Sequence, residues 1–240
     1  MARAKVGEME LEYETFGSPD DPALLLVMGL GAQLIHWPAK FCQMLADGGF
    51  QVIRFDNRDA GLSTKLDGVE VDFVALVAAA LEGREVSDTP YDLSDMSEDA
   101  FGILDDLGIE KAHIVGASLG GMIAQTMAIE RPSRVISLTS IMSATGTREI
   151  LGIPDESLAL LLAPAPTERS AYLEYQDQYA IWCSKKYFDA DLAREYAAVS
   201  YDRSHYPDGS GRQIAALLAS GDREPDLAEI NIPTLVIHGR

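Results

Sequence analysis

Ser118 stands between glycines in the stretch AHIVGASLGGMIAQ, residues 112–125, where an apolar run gives way to a helical pattern. Gly116-Ala117-Ser118-Leu119-Gly120 has the form G-x-S-x-G. A serine hydroxyl becomes a nucleophile only when a base takes its proton and fixed N–H groups receive the charge of the adduct. On a sharp, strained turn between a strand and a helix it stands clear of the backbone, placed to attack a carbonyl carbon. The surrounding sequence predicts that turn: a buried strand ends at Gly116 and a helix begins at Leu119. Glycine is wanted at 116 and 120 because side chains there would meet neighbouring backbone, and Gly121 lets the helix lie close to the sheet. The chemistry implied is acyl transfer.

A second stretch, LLLVMGLGAQ, ends an apolar strand in Met28-Gly29-Leu30-Gly31. A tight loop of that composition exposes backbone N–H groups. Two such groups aimed at one oxygen stabilise the oxyanion of a tetrahedral intermediate, and losing one costs about 3–4 kcal/mol. The expected donors are the amides of Leu30 and Leu119, the latter at a helix N-terminus. His36 follows this loop, and beside Trp37 it is expected to line the substrate pocket. His113 and His238 lie in strands and are expected to be structural, and His205 sits in a Tyr-rich loop. Asp56, Arg58 and Asp59 in DNRDAGLST are expected to form a structural ion pair holding that loop, with Gly61 at its turn. Arg203, Arg212 and Arg223 are expected at solvated helix ends or in ion pairs.

The elements that must carry these residues alternate. Residues 6–16 alternate weakly, as a strand pair at a sheet edge does. ALLLVMG is a continuous apolar run of the kind buried on both faces of a parallel sheet. Trp37, Phe41, Met44 and Leu45 recur at helical spacing, with Pro38 at the start and Gly48-Gly49 as the stop. QVIRF is the next strand. Leu93, Met96, Ala100, Ile103, Leu104 and Leu107 line one helix face, closed by Gly108. KAHIVG is a strand, a helix follows Ser118 and stops before Pro132, and RVISLTSI is a strand again. This order predicts an α/β fold with a mostly parallel sheet and helices on both faces. From about Arg148 to Ser220 strand-like runs vanish and seven of the nine tyrosines appear, which predicts a helical insertion. DLAEINIPTLVIHG then resumes the sheet.

The chain has 240 residues, 19 Lys and Arg against 38 Asp and Glu, and a net charge of −19. An acidic surface of that size repels phosphate backbones and anionic headgroups, so neither nucleic acid nor membrane is expected as a partner. Cys42 and Cys183 lie far apart, outside any CxxC pair or Cys/His cluster, so neither a metal site nor a disulfide framework is expected. The N-terminal residues carry charges throughout, and no segment reaches the ~20 uninterrupted apolar residues of a membrane helix. A cytoplasmic location is the expectation.

The MGLG loop, DNRDAGLS, GASLGG and PTLVIHG together make the chain resemble the α/β-hydrolase fold superfamily, over nearly its whole length. The serine esterase-like group resembling aclacinomycin methylesterase shares the VMG, DxRDxGxS and PTLVI wording. The resemblance implies a core of 1–147 and 223–240 with a helical cap or lid over 148–222. It implies that the cap roofs the site, so that Tyr175 and Trp182, in the stripe Tyr172, Tyr175, Tyr179, Trp182, face the substrate. It also implies a triad in the order serine, acid, histidine, with the acid after PTLVIHG and the histidine after the last strand, both beyond Arg240. The fold is thus expected to be shortened at its C-terminal end, and the 240-residue form to be an incomplete enzyme. The activity implied is cofactor-free hydrolysis of a carboxylic ester of a small, largely apolar substrate through an acyl-enzyme on Ser118. Carbon–carbon bond hydrolysis or peracid formation on the same site, or a catalytically weak binding or receptor-like protein on this scaffold, are the alternatives. Serine at 118, where dehalogenases and epoxide hydrolases carry aspartate, disfavours their chemistry.

Overall fold

The computed structural model describes residues 2–146 and 153–239. Seven strands form one sheet: β1 (Ala2–Val6), β2 (Met9–Phe16), β3 (Ala23–Val27), β4 (Gln51–Phe55), β5 (Ala112–Ala117), β6 (Val135–Ile141) and β7 (Thr234–Ile237), in spatial order β1-β2-β4-β3-β5-β6-β7. β1 pairs with β2, and β2 with β4, antiparallel. The remaining neighbours are parallel. β3 is wholly buried, and its alternation shows how both faces are covered. Leu25 and Val27 join one apolar cluster, while Leu24 and Leu26 join a second, smaller one on the other side.

On the larger side lie α2 (Phe73–Leu81), α3 (Leu93–Asp106) and α4 (Leu119–Glu130). α3 starts at Asp92, whose carboxylate accepts from the Ser94 and Asp95 N–H groups in a capping box, and Gly108 with φ 69° follows its end. α2 is an element that the sequence pattern leaves unassigned: FVALVAAAL is apolar on every side and therefore carries no helical stripe. The smaller side is covered by α1 (Ala39–Asp47). Here the apolar stripe is rotated from expectation. Cys42 and Ala46 face the sheet, whereas Phe41 and Met44 are exposed, because the small side chains let the helix approach closely.

After β6 the described chain is helical: α5 (Asp155–Leu162), α6 (Arg169–Gln176), a 3-10 turn (Asp177–Trp182), α7 (Ala190–Ser204) and α8 (Pro207–Ala219). The core–cap junction expected at 147/148 falls outside the described residues. α8 is not a separate layer. Ile214 to Leu218 are buried in the same cluster as α3 and α4, so the insertion's last helix roots in the core. The short helix α9 (Glu224–Leu227) leads back to β7, whose Leu235, Val236 and Ile237 are exposed at the sheet edge. Among the described residues no helix is long and apolar enough to cross a membrane.

Candidate active site

Ser118 occupies the turn between β5 and α4 with φ 54° and ψ −121°. Few L-residues adopt such a backbone, and holding one there costs on the order of 1–3 kcal/mol unless packing enforces it. The enforcement is visible. Ser118 N–H donates to Ile141 O at 2.9 Å, and Ser118 O accepts from Gly121 N–H and Ser143 Oγ at 2.8 Å each. Both glycines are needed for close approach. A Cβ at Gly116 would lie 2.0 Å from Gly120 O, and one at Gly120 would lie 2.2 Å from Val27 O. Ser118 is half-buried, and no described residue hydrogen-bonds its Oγ.

The loop after β3 meets this turn. A Cβ at Gly29 would lie 3.2 Å from Ser118 Cβ and 3.7 Å from its Oγ. Among the described residues neither the Leu30 nor the Leu119 N–H has a protein acceptor. Their neighbours are anchored: Asn57 Nδ2 donates to Met28 O (2.9 Å), Ala32 N–H to Gly29 O (3.2 Å), and Gly31 N–H to Gln213 Oε1 (2.8 Å). Sequence patterns miss Asn57 and Gln213, because each acts across a long sequence separation and no local motif marks it.

A cavity of about 590 Å³ opens between this loop and the helices α5 to α8, walled by Leu30, His36, Phe73, Leu162, Tyr172, Tyr175, Tyr179, Ser200, His205 and Ile214 among others. Ser118 is not part of its wall; Leu30 and Gly31 are. His36 lines the cavity, with Nδ1 3.1 Å from the Gln33 backbone and Nε2 3.4 Å from Ser200 Oγ; burial lowers its pKa, which favours the neutral ring. Trp37 does not line it. The indole is 7% exposed, stacks on Phe41 and packs in the smaller cluster, because the chain turns over the sheet's opposite face to start α1.

Tyr175 lines the cavity, and its hydroxyl also donates to Leu160 O of α5 at 3.2 Å. Trp182 is outside the wall. The helix gives way to a 3-10 turn after Gln176, which rotates position 182 away and leaves its ring edge-on to Tyr179 at 4.8 Å. Burial drives the Tyr179 hydroxyl's pKa upward, so it remains a neutral donor. His113 Nδ1 pairs with Ser137 Oγ (2.7 Å), His205 Nε2 with Pro166 O (2.8 Å), and His238 is exposed just past β7. Among the described residues there is no group of three or more His, Cys, Asp or Glu placed to hold a metal.

The charges after β4 pair outward, to other elements. Asp56 accepts from Leu34 N–H (2.6 Å) and Leu62 N–H (2.8 Å) and pairs with Arg203 (2.8 Å). Burial raises its pKa; the two N–H groups and Arg203 oppose this. Arg58 grips Asp99 at 2.6 and 2.9 Å. Asp59 takes both arms of Arg212, at 2.9 and 2.8 Å, and the Tyr91 hydroxyl at 2.8 Å. The three arginines are therefore not at solvated helix ends: Arg212 is 4% and Arg223 6% exposed, and the Arg203 side chain is 12% exposed. Arg203 and Arg212 clamp α7 and α8 to the loop after β4. Arg212→Met leaves Asp59 buried without its counter-charge, and the expected cost is about 3–5 kcal/mol. Urea denaturation checks it; a loss below about 1 kcal/mol, the ordinary worth of a surface pair, would count against the clamp.

Comparison with known proteins agrees with the fold. Residues 22–240 match the family model described as alpha/beta hydrolase fold. A putative carbamate hydrolase RutD of Variovorax paradoxus is 31% identical over 234 residues, 95% of this chain and 77% of that protein. The rhodomycin D methylesterase DauP of Streptomyces sp. strain C5 is 35% identical over 135 residues, a match spanning 56% of this chain and only 39% of the relative's length. Among solved structures, the enol-lactonase of Burkholderia xenovorans LB400 superposes with a TM-score of 0.64 at 20% identity, covering 99% of this chain and 81% of that one. At that identity the likeness speaks for the fold alone.

Proposed function

The chain belongs to the alpha/beta hydrolase fold family, and from that premise we propose that it is a serine hydrolase cleaving a carboxylic ester of a small, largely apolar substrate. One observation carries the reading: Ser118 sits at φ 54° on the turn from β5 into α4, with the unpaired Leu119 N–H next to it and the Leu30 loop against it. Ser118 Oγ attacks the ester carbonyl carbon and passes its proton to a general base. The carbonyl π electrons move onto oxygen, which the Leu30 and Leu119 N–H groups receive. The intermediate collapses with loss of the alcohol, which takes the proton back from the base. Water then attacks the acyl-enzyme by the same route and restores the Ser118 hydroxyl.

In the family the acid follows the strand that β7 matches and the histidine follows the last strand, so the base is assigned to none of His36, His113, His205 and His238. The hydrolases and esterases among the relatives support the reaction class. Apolar and aromatic side chains of Leu30, Phe73, Leu162, Tyr172, Tyr179 and Ile214 on the cavity wall support the apolar substrate. The cap over 148–222 shapes this selectivity while the core holds the reacting groups. The test is a fluorophosphonate probe on the intact protein. Phosphonylation confined to the peptide carrying Ser118 is expected, and labelling elsewhere, or none, rejects the assignment.

A further inference from the structure

We propose that Gln213, on the cap helix α8, is a positioning residue for the oxyanion loop: by holding the Gly31 N–H it fixes the turn that presents the Leu30 amide to the attacked carbonyl. This rests on the roles given above to Ser118 and Leu30.

Gly29 to Ala32 form a four-residue turn, closed by the Ala32 N–H on Gly29 O. Gly31, at its third position, has φ 62°, whereas Leu30 at the second has no positive φ. That combination defines a type II turn, which differs from type I by rotation of the central peptide, here Leu30–Gly31. The N–H of that central peptide is what Gln213 holds. Its Oε1 accepts from Gly31 N–H at 2.8 Å, while its Nε2 donates to Arg58 O at 2.8 Å. The side chain is 0% exposed, so water cannot replace either bond, and rotating the amide end for end would break both.

The consequence for Leu30 follows from peptide geometry. Its N–H shares a planar trans peptide with the Gly29 carbonyl, which points at Ala32, so the N–H points the opposite way. That direction holds only while the turn stays closed on the Ala32 N–H, and the Gly31 N–H that Gln213 grips lies inside that closed turn. α8 also packs directly on the turn: a Cβ at Gly31 would lie 2.5 Å from Ser210 Oγ. The oxyanion donor of the core is thus held from α8, through the Gln213 end of the helix that meets the turn.

The experiment compares wild type with Gln213→Leu and Ser220→Ala in the intact protein. Ser220 ties the other end of α8 to α3 by accepting the Leu93 N–H at 2.9 Å, so its loss loosens the helix without touching the turn. Each protein is assayed on an aryl ester and on its thionoester, in which C=S replaces C=O. Sulfur accepts hydrogen bonds poorly, so preference for the oxygen ester reports the oxyanion donors. Gln213→Leu is expected to lower kcat on the oxygen ester about 10-fold or more, with KM nearly unchanged, and to shrink the oxygen-over-sulfur preference by a similar factor. Hydrogen exchange over residues 28–33 is expected to quicken while that of 112–130 does not.

Ser220→Ala is expected to leave the preference intact. A Gln213→Leu protein with wild-type preference and wild-type exchange overturns the proposal, and so does an equal loss of preference in Ser220→Ala. Full activity in Ser118→Ala would instead remove the nucleophile assignment, an outcome that the exchange measurement separates from the hold of Gln213 on the turn.

Discussion

Ser118→Ala is expected to abolish ester hydrolysis while the protein folds as before. The substitution deletes the one atom that forms the acyl bond. In a triad enzyme that loss lowers turnover on the order of 10⁶-fold, and oxyanion donors plus binding retain only about 10³–10⁴-fold acceleration over water. Stability should hardly change, since Ser118 Oγ has no partner among the described residues. The backbone supplies a sharper companion test. At φ 54° a Cβ is a penalty that serine and alanine share but glycine does not. Ser118→Gly should therefore be as inactive as alanine yet more stable, by about 1–2 kcal/mol. Turnover of p-nitrophenyl acetate and thermal melts on the three proteins decide it. Residual activity near wild type in either variant would reject Ser118 as nucleophile, and an unchanged Tm in the glycine variant would reject the strain.

Gly120→Val is expected to lose fold and activity together. The first carbon added would lie 2.2 Å from Val27 O and 2.7 Å from Met28 O, both backbone atoms, one of β3 and one of the loop after it. Neither can rotate aside as a side-chain tip can, so either α4 lifts from the sheet or β3 shifts. Overpacking of this kind costs about 3 kcal/mol or more. At about 2–4 °C per kcal/mol for a chain of this size, the Tm should fall by roughly 10 °C. Differential scanning calorimetry with circular dichroism measures it. A variant that melts with wild type would show that α4 does not lie on β3 as described.

How much of this was legible beforehand differs from residue to residue, and the difference is one of range. Local patterns were decisive where a residue's role is set by its chain neighbours. The run ALLLVMG had to be a buried strand, since its residues satisfy both faces of a sheet at once. G-x-S-x-G had to be a strained turn, since strand, serine and helix follow one another within a dozen residues. The order of strands and helices then implied the parallel sheet, and the loss of strand signals after Arg148 implied the helical insertion.

Tertiary structure decided what depends on faces and partners. Trp37 was expected in the pocket because it follows His36, yet one further peptide sends it over the other face of the sheet, under the start of α1. Trp182 lost its place when the helix tightened into a 3-10 turn, because a stripe spaced by three and four stays aligned only while the turn stays at 3.6 residues. The apolar stripe of α1 likewise pointed to Phe41 and Met44, whereas close approach favoured Cys42 and Ala46.

The acidic loop after β4 offered three charges and no sign of where they point. Asp56, Arg58 and Asp59 are neutralised by Arg203, Asp99 and Arg212, up to 153 positions away along the chain. A buried charge must find a counter-charge wherever the fold brings one, and sequence spacing carries no record of that. For the same reason Gln213 reads as an ordinary polar residue on a helix. Only when α8 is laid against the loop after β3 does its amide become the acceptor of the Gly31 N–H and the donor to Arg58 O, which a lone side chain in a sequence cannot reveal.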